Sequence, residues 1–343
     1  MPHQVTLKEV AARAGVSYQT VSKVLNKQIQ VSKETEERIR QAVEALGYRP
    51  NLIARNMRQQ RTRLIGYSWQ PAPPDQGNAI LDLFLQSMAQ AAEGAGYHLL
   101  CFPHRSEGDV IAAYRDLIET HRVDGFVISS VEFDDERVRF LRQQNFPFVA
   151  FGRSNPEWDF PCVDVDGADG MRQVVEHLLH LGHRQIAALA WPEDSRVGQN
   201  RMEGYRAALQ AAGIAPRPEW IQRGPGVVDF GQAATARLLD LPAGQRPSAI
   251  VAFNDIMAIG AMRAAETRGL RVGADVAITG FDDHPMVQYL RPSLTSVRQP
   301  VWEIGQRVMM MLLDVLDDRL PQTACVLIPP RLIVRQSSGG PIT

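Results

Sequence analysis

The chain has 343 residues, 45% of them hydrophobic and 22% charged, with a formal net charge of -1. That length exceeds what one hydrophobic core usually organises, so two or three domains are expected, and the bulk composition is that of an ordinary soluble protein. No apolar run reaches the roughly 18 residues a membrane span needs, and "MPHQVTLKEV" lacks the basic and apolar regions of a secretory leader, so a cytoplasmic protein with no membrane partner is expected.

The charge is unevenly placed. Residues 1–63 hold 12 Lys and Arg against 5 Asp and Glu, a balance of +7, which leaves 25 against 33, or -8, for the rest. A basic head on an acidic body suggests a polyanion partner for the head. Cys101, Cys162 and Cys325 are far apart and form no CxxC pair, so they read as buried small apolar residues rather than as disulfide or metal ligands.

Thr6 to Glu9, "TLKE", has the capping-box pattern, so a first helix starts near Leu7. Val10, Ala11 and Ala14 supply its inner face, and Gly15 sits where it must end in a left-handed residue. Ser17 caps a second helix in which Val21, Val24 and Leu25 face inward. The other face carries Tyr18, Gln19, Ser22, Lys23 and Asn26, mostly short or amphipathic hydrogen-bonding side chains with little competing charge. Two helices joined by a Gly-containing turn form a helix-turn-helix, whose second helix enters the major groove of DNA. There Gln reads adenine or guanine edges and Lys donates to guanine O6 and N7. The plainer reading is a short helical trio that merely has a polar face. A third helix, capped in "SKET" at Ser32, runs through Ile39, Val43 and Leu46 to Gly47, and its acidic first turn suits the helix dipole.

Pro50 breaks that helix, Asn51 can cap another, and "LIARNMR" makes about two turns, too few to hold alone in water. Arg55, Arg58, Arg61 and Arg63 lead on into "LIGYSW". The segment is either a basic flexible linker or a hinge that folds on DNA, two copies meeting in the minor groove and wedging apolar side chains between base steps.

Residues 4–63, and "VSYQTVS" in particular, resemble the headpiece of the lactose/galactose repressor family. The resemblance implies base contacts by Tyr18, Gln19 and Lys23, phosphate contacts by Thr6, Ser17, Ser22, Asn26 and Ser32, and hinge contacts by Asn51, Ala54 and Met57. Lys23 stands where the family commonly has Arg, and a point donor discriminates less than a bidentate fork. Met57 stands where Leu is common, and its flexibility makes it costlier to order.

From Leu64 onward short apolar runs alternate with helical stretches: "LIGYSW", "HLLCF", "GFVISS", "PFVAFG", "CVDVD", "QIAALAW", "AIVAFN" and "AITGFD". Continuous apolar strands with helices between them predict parallel sheets covered on both faces. Two groups of four strands predict two lobes split near Phe160, with 292–323 returning to the first lobe and 324–340 to the second. The expected architecture is therefore α/β: a three-helix head over 1–49, a hinge helix over 50–63, and a two-lobed doubly wound body over 64–343.

Ligands of open parallel sheets sit beyond the carboxyl ends of strands. Trp69, Gln70, Phe102, Gly152 and Arg153 fall there in the first lobe, and Asp164, Asp166, Trp191, Asn254, Asp255, Asp282 and Asp283 in the second. Aromatic faces stack on the C–H side of sugars and Asp, Asn, Arg and Gln bind hydroxyls, so the set reads as a carbohydrate cleft. Trp69 and Trp191 could equally be core, and Asp164 and Asp166 could cap the helix near Gly167.

"RMEGYRAAL", "FNDIMAIGAMRAAETRGLRVGADVAITGFDD" and "RPSLTSVRQP" are similar to the regulatory domain of the same family. That similarity implies a type I periplasmic-binding-protein fold, effector contacts from Arg201, Asn254 and Asp282, and an aromatic packed on the sugar at Phe230. Gly152 replaces an Asp sugar contact of the lactose repressor, so a simple galactoside site is not implied; "WQPAPP" and "WPEDSRVGQNR" suggest a pocket for a glucose- or oligosaccharide-type ligand.

His177, His180 and His183 invite a metal reading, but spacing alone is weak and Gly182 should end the helix between them. No GxSxG elbow or phosphate loop is present, and the adjacent Asp282 and Asp283 would point to opposite faces of a strand, so neither catalysis nor a cofactor is expected. The sequence reads as a homodimeric regulator, repressing carbohydrate-use genes from a near-palindromic operator until a sugar binds between the lobes. The rivals are a regulator activated by a purine or phosphoprotein corepressor and, more distantly, a transport-type sugar-binding protein.

Overall fold

The computed structural model describes residues 5–25, 29–48, 61–69, 79–103, 109–319 and 324–339, and the chain divides into two compact units, 1–62 and 63–343. Asn26, Gln70 and the hinge residues Asn51, Ala54 and Met57 lie outside the described residues.

The first unit contains α1 (Leu7–Ala14), α2 (Tyr18–Leu25) and α3 (Lys33–Leu46). Each helix begins where a hydroxyl accepts from the backbone. Thr6 and Glu9 cap reciprocally, the Thr6 N–H donating to Glu9 Oε2 at 2.7 Å; Ser17 accepts from the Thr20 N–H at 3.0 Å and Ser32 from the Thr35 N–H at 3.3 Å. Gly15 and Gly47 end α1 and α3 at φ 66° and 60°, left-handed values that a side chain resists. Val10, Val21 and Ile39 meet in the centre of this unit with Ala11, Ala14 and Ala42 around them. Burying one large aliphatic side chain stabilises by about 1.5–3 kcal/mol, so packing rather than propensity holds helices this short.

The second unit is built on two six-stranded sheets. The first contains β1 (Leu64–Trp69), β2 (His98–Pro103), β3 (Gly125–Ile128), β4 (Phe148–Phe151), β5 (Cys162–Val165) and β11 (Cys325–Ile328), ordered β11-β5-β4-β3-β1-β2 and parallel throughout. The second contains β6 (Ile186–Ala190), β7 (Ile221–Arg223), β8 (Ala249–Ala252), β9 (Ala277–Asp282), β10 (Thr295–Arg298) and β12 (Arg331–Ile333), ordered β12-β10-β9-β8-β6-β7, with only β12 antiparallel.

Helices cover both faces of each sheet. On the first, α4 (Ala79–Gly94) and α11 (Val301–Leu316) lie on one side, and α5 (Ala112–Glu119) and α6 (Glu136–Gln143) on the other. On the second, α7 (Gly167–His180) and α8 (Arg196–Ala211) lie opposite α9 (Val228–Leu239) and α10 (Asp255–Thr267). Strand β6 shows why the runs are continuously apolar: Ala187 and Leu189 enter one core while Ile186, Ala188 and Ala190 enter the other.

Three sequence expectations are corrected here. Strand β5 does not open the second lobe; it pairs with β4 through Ala150–Cys162 and Phe151–Val163, so the chain first passes between lobes after Val165 rather than near Phe160. Thr295–Arg298, placed in the first lobe by sequence, pairs with β9, and Cys325–Ile328, placed in the second, pairs with β5. The chain thus passes between lobes at Asp166, at Gln299–Pro300 and at Pro329–Pro330. Nor are all three cysteines inert core residues. In-register pairing brings Cys162 and Cys325 to a Cα separation of 4.4 Å, where they form a disulfide, and Cys101 is exposed on the edge strand β2.

Candidate functional site

On α2 the helical spacing pairs Tyr18 with Ser22 and Gln19 with Lys23; Gln19 and Lys23 lie opposite buried Val21, Tyr18 flanks it, and Tyr18, Gln19 and Lys23 are exposed. The hydroxyls of Thr6, Ser17 and Ser32 all occupy helix N-termini, where backbone N–H groups and the dipole favour an anion such as a phosphate.

In the second unit the polar residues gather where β6, β8 and β9 end. Arg201, only 4% exposed, projects from α8, and its guanidinium donates from Nη1 to the Phe253 carbonyl and from Nη2 to Asp282 Oδ1 at 3.4 Å. It lies 4.8 Å from the Trp191 ring centre and 3.5 Å from that of Phe281, and its buried Nε–H has no partner among the described residues. Burial works against the guanidinium charge while Asp282 favours it; burial likewise raises the Asp282 carboxyl, with Arg201 and Gln299 pulling the other way. Asn254 accepts from the Met257 N–H at 2.7 Å, capping α10, and donates from Nδ2 to the Gly226 carbonyl at 3.2 Å. A Cβ at Gly226 would come within 2.6 Å of Asn254 Nδ2 and 2.7 Å of Trp191 Nε1, which shows how closely that loop approaches both. Phe230 is half-buried on the neighbouring core and in contact with the Gly224 backbone.

The first lobe contributes differently. Trp69 ends β1 with 42% of its surface exposed, whereas Phe102 is half-buried, edge-on to Tyr114 at 5.2 Å and packed against the first-lobe core. Arg153 donates from Nε to Asp164 Oδ2 at 2.9 Å, and burial raises the Asp164 carboxyl against that pull. Trp191, Arg201, Asn254 and Asp282 are therefore brought together, and Phe102 lies half-buried against the first-lobe core. Asp166 caps α7 through the Asp169 N–H at 2.9 Å. His177, His180 and His183 bond separately to Ser338 Oγ, the Glu176 carbonyl and Ser248 Oγ, and no three metal-capable side chains come together among the described residues.

The contact that spans the lobes lies at a residue sequence reading did not single out. Arg196, in the first turn of α8, donates its backbone N–H to Glu132 Oε2 at 2.6 Å and its Nε–H to the Ser154 carbonyl at 3.0 Å; its guanidinium also lies 5.2 Å from the Phe133 ring centre. Nη1 is held by Asn200 Oδ1 at 2.6 Å. Burial pushes the Glu132 carboxyl above the usual range, and the Arg196 N–H works against that shift. A second link runs through Gln299, at a lobe passage, which donates to Asp282 Oδ1 at 2.6 Å.

A three-helix head, a two-lobed parallel-sheet body and a polar cleft at the strand ends together define a DNA-binding regulator with a periplasmic-binding-protein-like domain. The family described as "Bacterial regulatory proteins, lacI family" matches residues 6–51, and "Periplasmic binding protein-like domain" matches residues 175–338. The chain is 32% identical to the HTH-type transcriptional repressor CytR of Escherichia coli strain K12, over 97% of this chain and 96% of that protein. Among solved structures, a regulatory protein of LacI family from Chloroflexus aggregans is 52% identical with a TM-score of 0.78, covering 81% of this chain and 99% of that one. The transcriptional regulator CelR–cellobiose complex is 31% identical with a TM-score of 0.74, covering 97% and 100%. The chain belongs to the lacI family of bacterial regulatory proteins. No described helix is long and apolar enough to cross a membrane.

Proposed function

We propose that the protein is a homodimeric repressor of carbohydrate-use genes, released from a near-palindromic operator by a mono- or oligosaccharide bound between its lobes. Tyr18, Gln19 and Lys23 read base edges; Thr6, Ser17, Ser22, Asn26 and Ser32 position the head on phosphates; Asn51, Ala54 and Met57 serve the hinge. Two heads match a two-fold DNA site. The observation that carries the effector reading is the cluster of Arg201, Asp282, Asn254 and Trp191, which sets a fork of donors, a carboxylate, an amide and an aromatic face at one strand-end cleft. That is sugar-recognition chemistry, and the related CelR was solved with cellobiose. Trp69, Gln70, Phe102, Arg153 and Phe230 complete the proposed lining.

Sugar bridging the lobes changes their relative setting and so weakens the grip of the paired heads, a coupling typically of about 1–3 kcal/mol. The test is a thermal-shift screen of mono- and disaccharides on the full chain, followed by operator titration with the sugar that raises the melting temperature. Loss of operator affinity on adding that sugar supports the reading. Unchanged affinity overturns the coupling, tighter binding assigns a corepressor, and turnover of the sugar would establish an enzyme.

A further inference from the structure

We propose that Cys162 and Cys325 form a reversible thiol-oxidation site, addressed by small thiols and disulfides such as glutathione, which fastens two of the three lobe passages to each other. The two residues face each other across the β5–β11 pair, at a Cα separation of 4.4 Å, and are 163 positions apart in sequence. Backbone bonds bracket the cross-link: the Cys162 N–H donates to the Ala324 carbonyl at 2.7 Å and the Asp166 N–H to the Ile328 carbonyl at 3.0 Å. Beyond this short ladder both strands leave for the second lobe, one through Asp166 into α7 and the other through Pro329 and Pro330 into β12.

Among the described residues strand β11 is an edge strand with β5 as its single neighbour. Without the cross-link, the ladder of a four-residue edge strand is what holds that passage to the first lobe. Thiols normally stay reduced in a compartment where DNA is transcribed, so a disulfide there is more often transient than structural. Access is asymmetric in the way exchange requires. Cys162 is 2% exposed, whereas Cys325 is half-buried on the sheet edge. A glutathione thiolate attacks Cys325 Sγ, the Cys162–Cys325 bond breaks, and Cys162 leaves as a thiolate that takes a proton from water. A second glutathione thiolate attacks the glutathione sulfur of the mixed disulfide, releasing Cys325 and oxidised glutathione; oxidation is the same sequence reversed. The effect on the lobes rests on the reading above that bound sugar changes their relative setting; the exchange chemistry does not.

The full chain is equilibrated in glutathione buffers from fully reduced to fully oxidised, quenched with acid, unfolded, alkylated and mapped by mass. At the oxidised end Cys162 and Cys325 should appear as one linked peptide, with exposed Cys101 outside the link as an alkylated thiol or as its own mixed disulfide with glutathione, and at the reduced end all three should be alkylated. Hydrogen exchange of residues 326–328 should speed up by about tenfold or more on reduction, and a Cys325→Ser variant should show no dependence on the buffer. Alkylation of both Cys162 and Cys325 at every ratio overturns the site, as does a link that excess reduced glutathione leaves intact in the folded protein. Exchange at 326–328 that ignores the redox state overturns the fastening role. If Cys325→Ser does not fold, the wild-type titration still decides. None of these measurements uses DNA or sugar, so a protein that passes them but ignores operator refutes only the functional reading.

Discussion

Asn254 serves two purposes with one amide. Its Oδ1 caps α10 by accepting from the Met257 N–H at 2.7 Å, and its Nδ2 faces the carbonyl of Gly226 beside Trp191. Replacing it with Ala should cost about 0.5–2 kcal/mol of stability through the lost cap, together with the affinity for the sugar found by screening. Asn254→Ser should recover most of the stability, because a hydroxyl also caps, but not the sugar affinity. Urea denaturation and calorimetric titration on the two variants separate the roles, and equal recovery of both would show that Asn254 is only a cap. Strand-end position made Asn254, Trp191 and Asp282 legible in the sequence, because each follows an apolar run. Arg201 came from family resemblance instead, since nothing in the pattern of a helix says which of its arginines is buried. Arg196 carried a signal that was available: a cation in the first turn of a helix opposes the dipole, so it needs a reason to be there. The reason, Glu132 and the Ser154 carbonyl, lies in loops too distant in sequence to be foreseen.

Among elements, helix type and boundaries followed directly from local chemistry, because caps and periodic apolar residues act within one or two turns; α1 and α3 start and stop where Thr6, Gly15, Ser32 and Gly47 dictate. Sheet membership did not, since strands buried on both faces look alike and their partners are set by long-range pairing; β5, β10 and β11 were misplaced for that reason. The same locality makes α2 a testable reading element. With Tyr18, Gln19 and Lys23 exposed on one helix, each should affect its own base step rather than overall affinity. Gln19→Ala should relax the preference at one position per half-site by about 1–3 kcal/mol. Lys23→Arg should sharpen another, because a planar fork can bond guanine O6 and N7 together. Selection from a randomised inverted-repeat library with each variant reads this out, and a uniform loss at all positions would reassign both residues to phosphate contact.

For the whole molecule, buried carboxylates link stability to pH. Asp255 accepts from Ser296 Oγ at 2.5 Å and from the His284 N–H at 2.7 Å, and burial, aided by neighbouring Asp282, holds its carboxyl well above the usual range. A carboxyl raised on folding keeps its proton in the folded state after the unfolded chain has released one, so its contribution is full in acid and falls as pH rises from about 4 through the folded value. The urea midpoint of the wild type should therefore fall more steeply with rising pH than that of Asp255→Asn, and parallel curves would refute the assignment. Asp282 extends the same argument from stability to signalling, because it touches Arg201 on one side and Gln299, at the passage between β10 and α11, on the other. Both bonds fall on Oδ1, so a ligand that competes for that oxygen disturbs the bond to Gln299 and bears on one of the passages between the lobes. Gln299→Ala removes that bond without removing Arg201, Asn254 or Trp191 from the cleft. Sugar affinity measured without DNA should then change little, within about threefold, while the factor by which sugar weakens operator binding shrinks; by reciprocity, the factor by which operator weakens sugar binding must shrink equally. Calorimetry with and without an operator duplex measures both sides of that cycle, and an undiminished coupling would place the transmitting contact elsewhere, with Arg196 and Glu132 the next pair to remove.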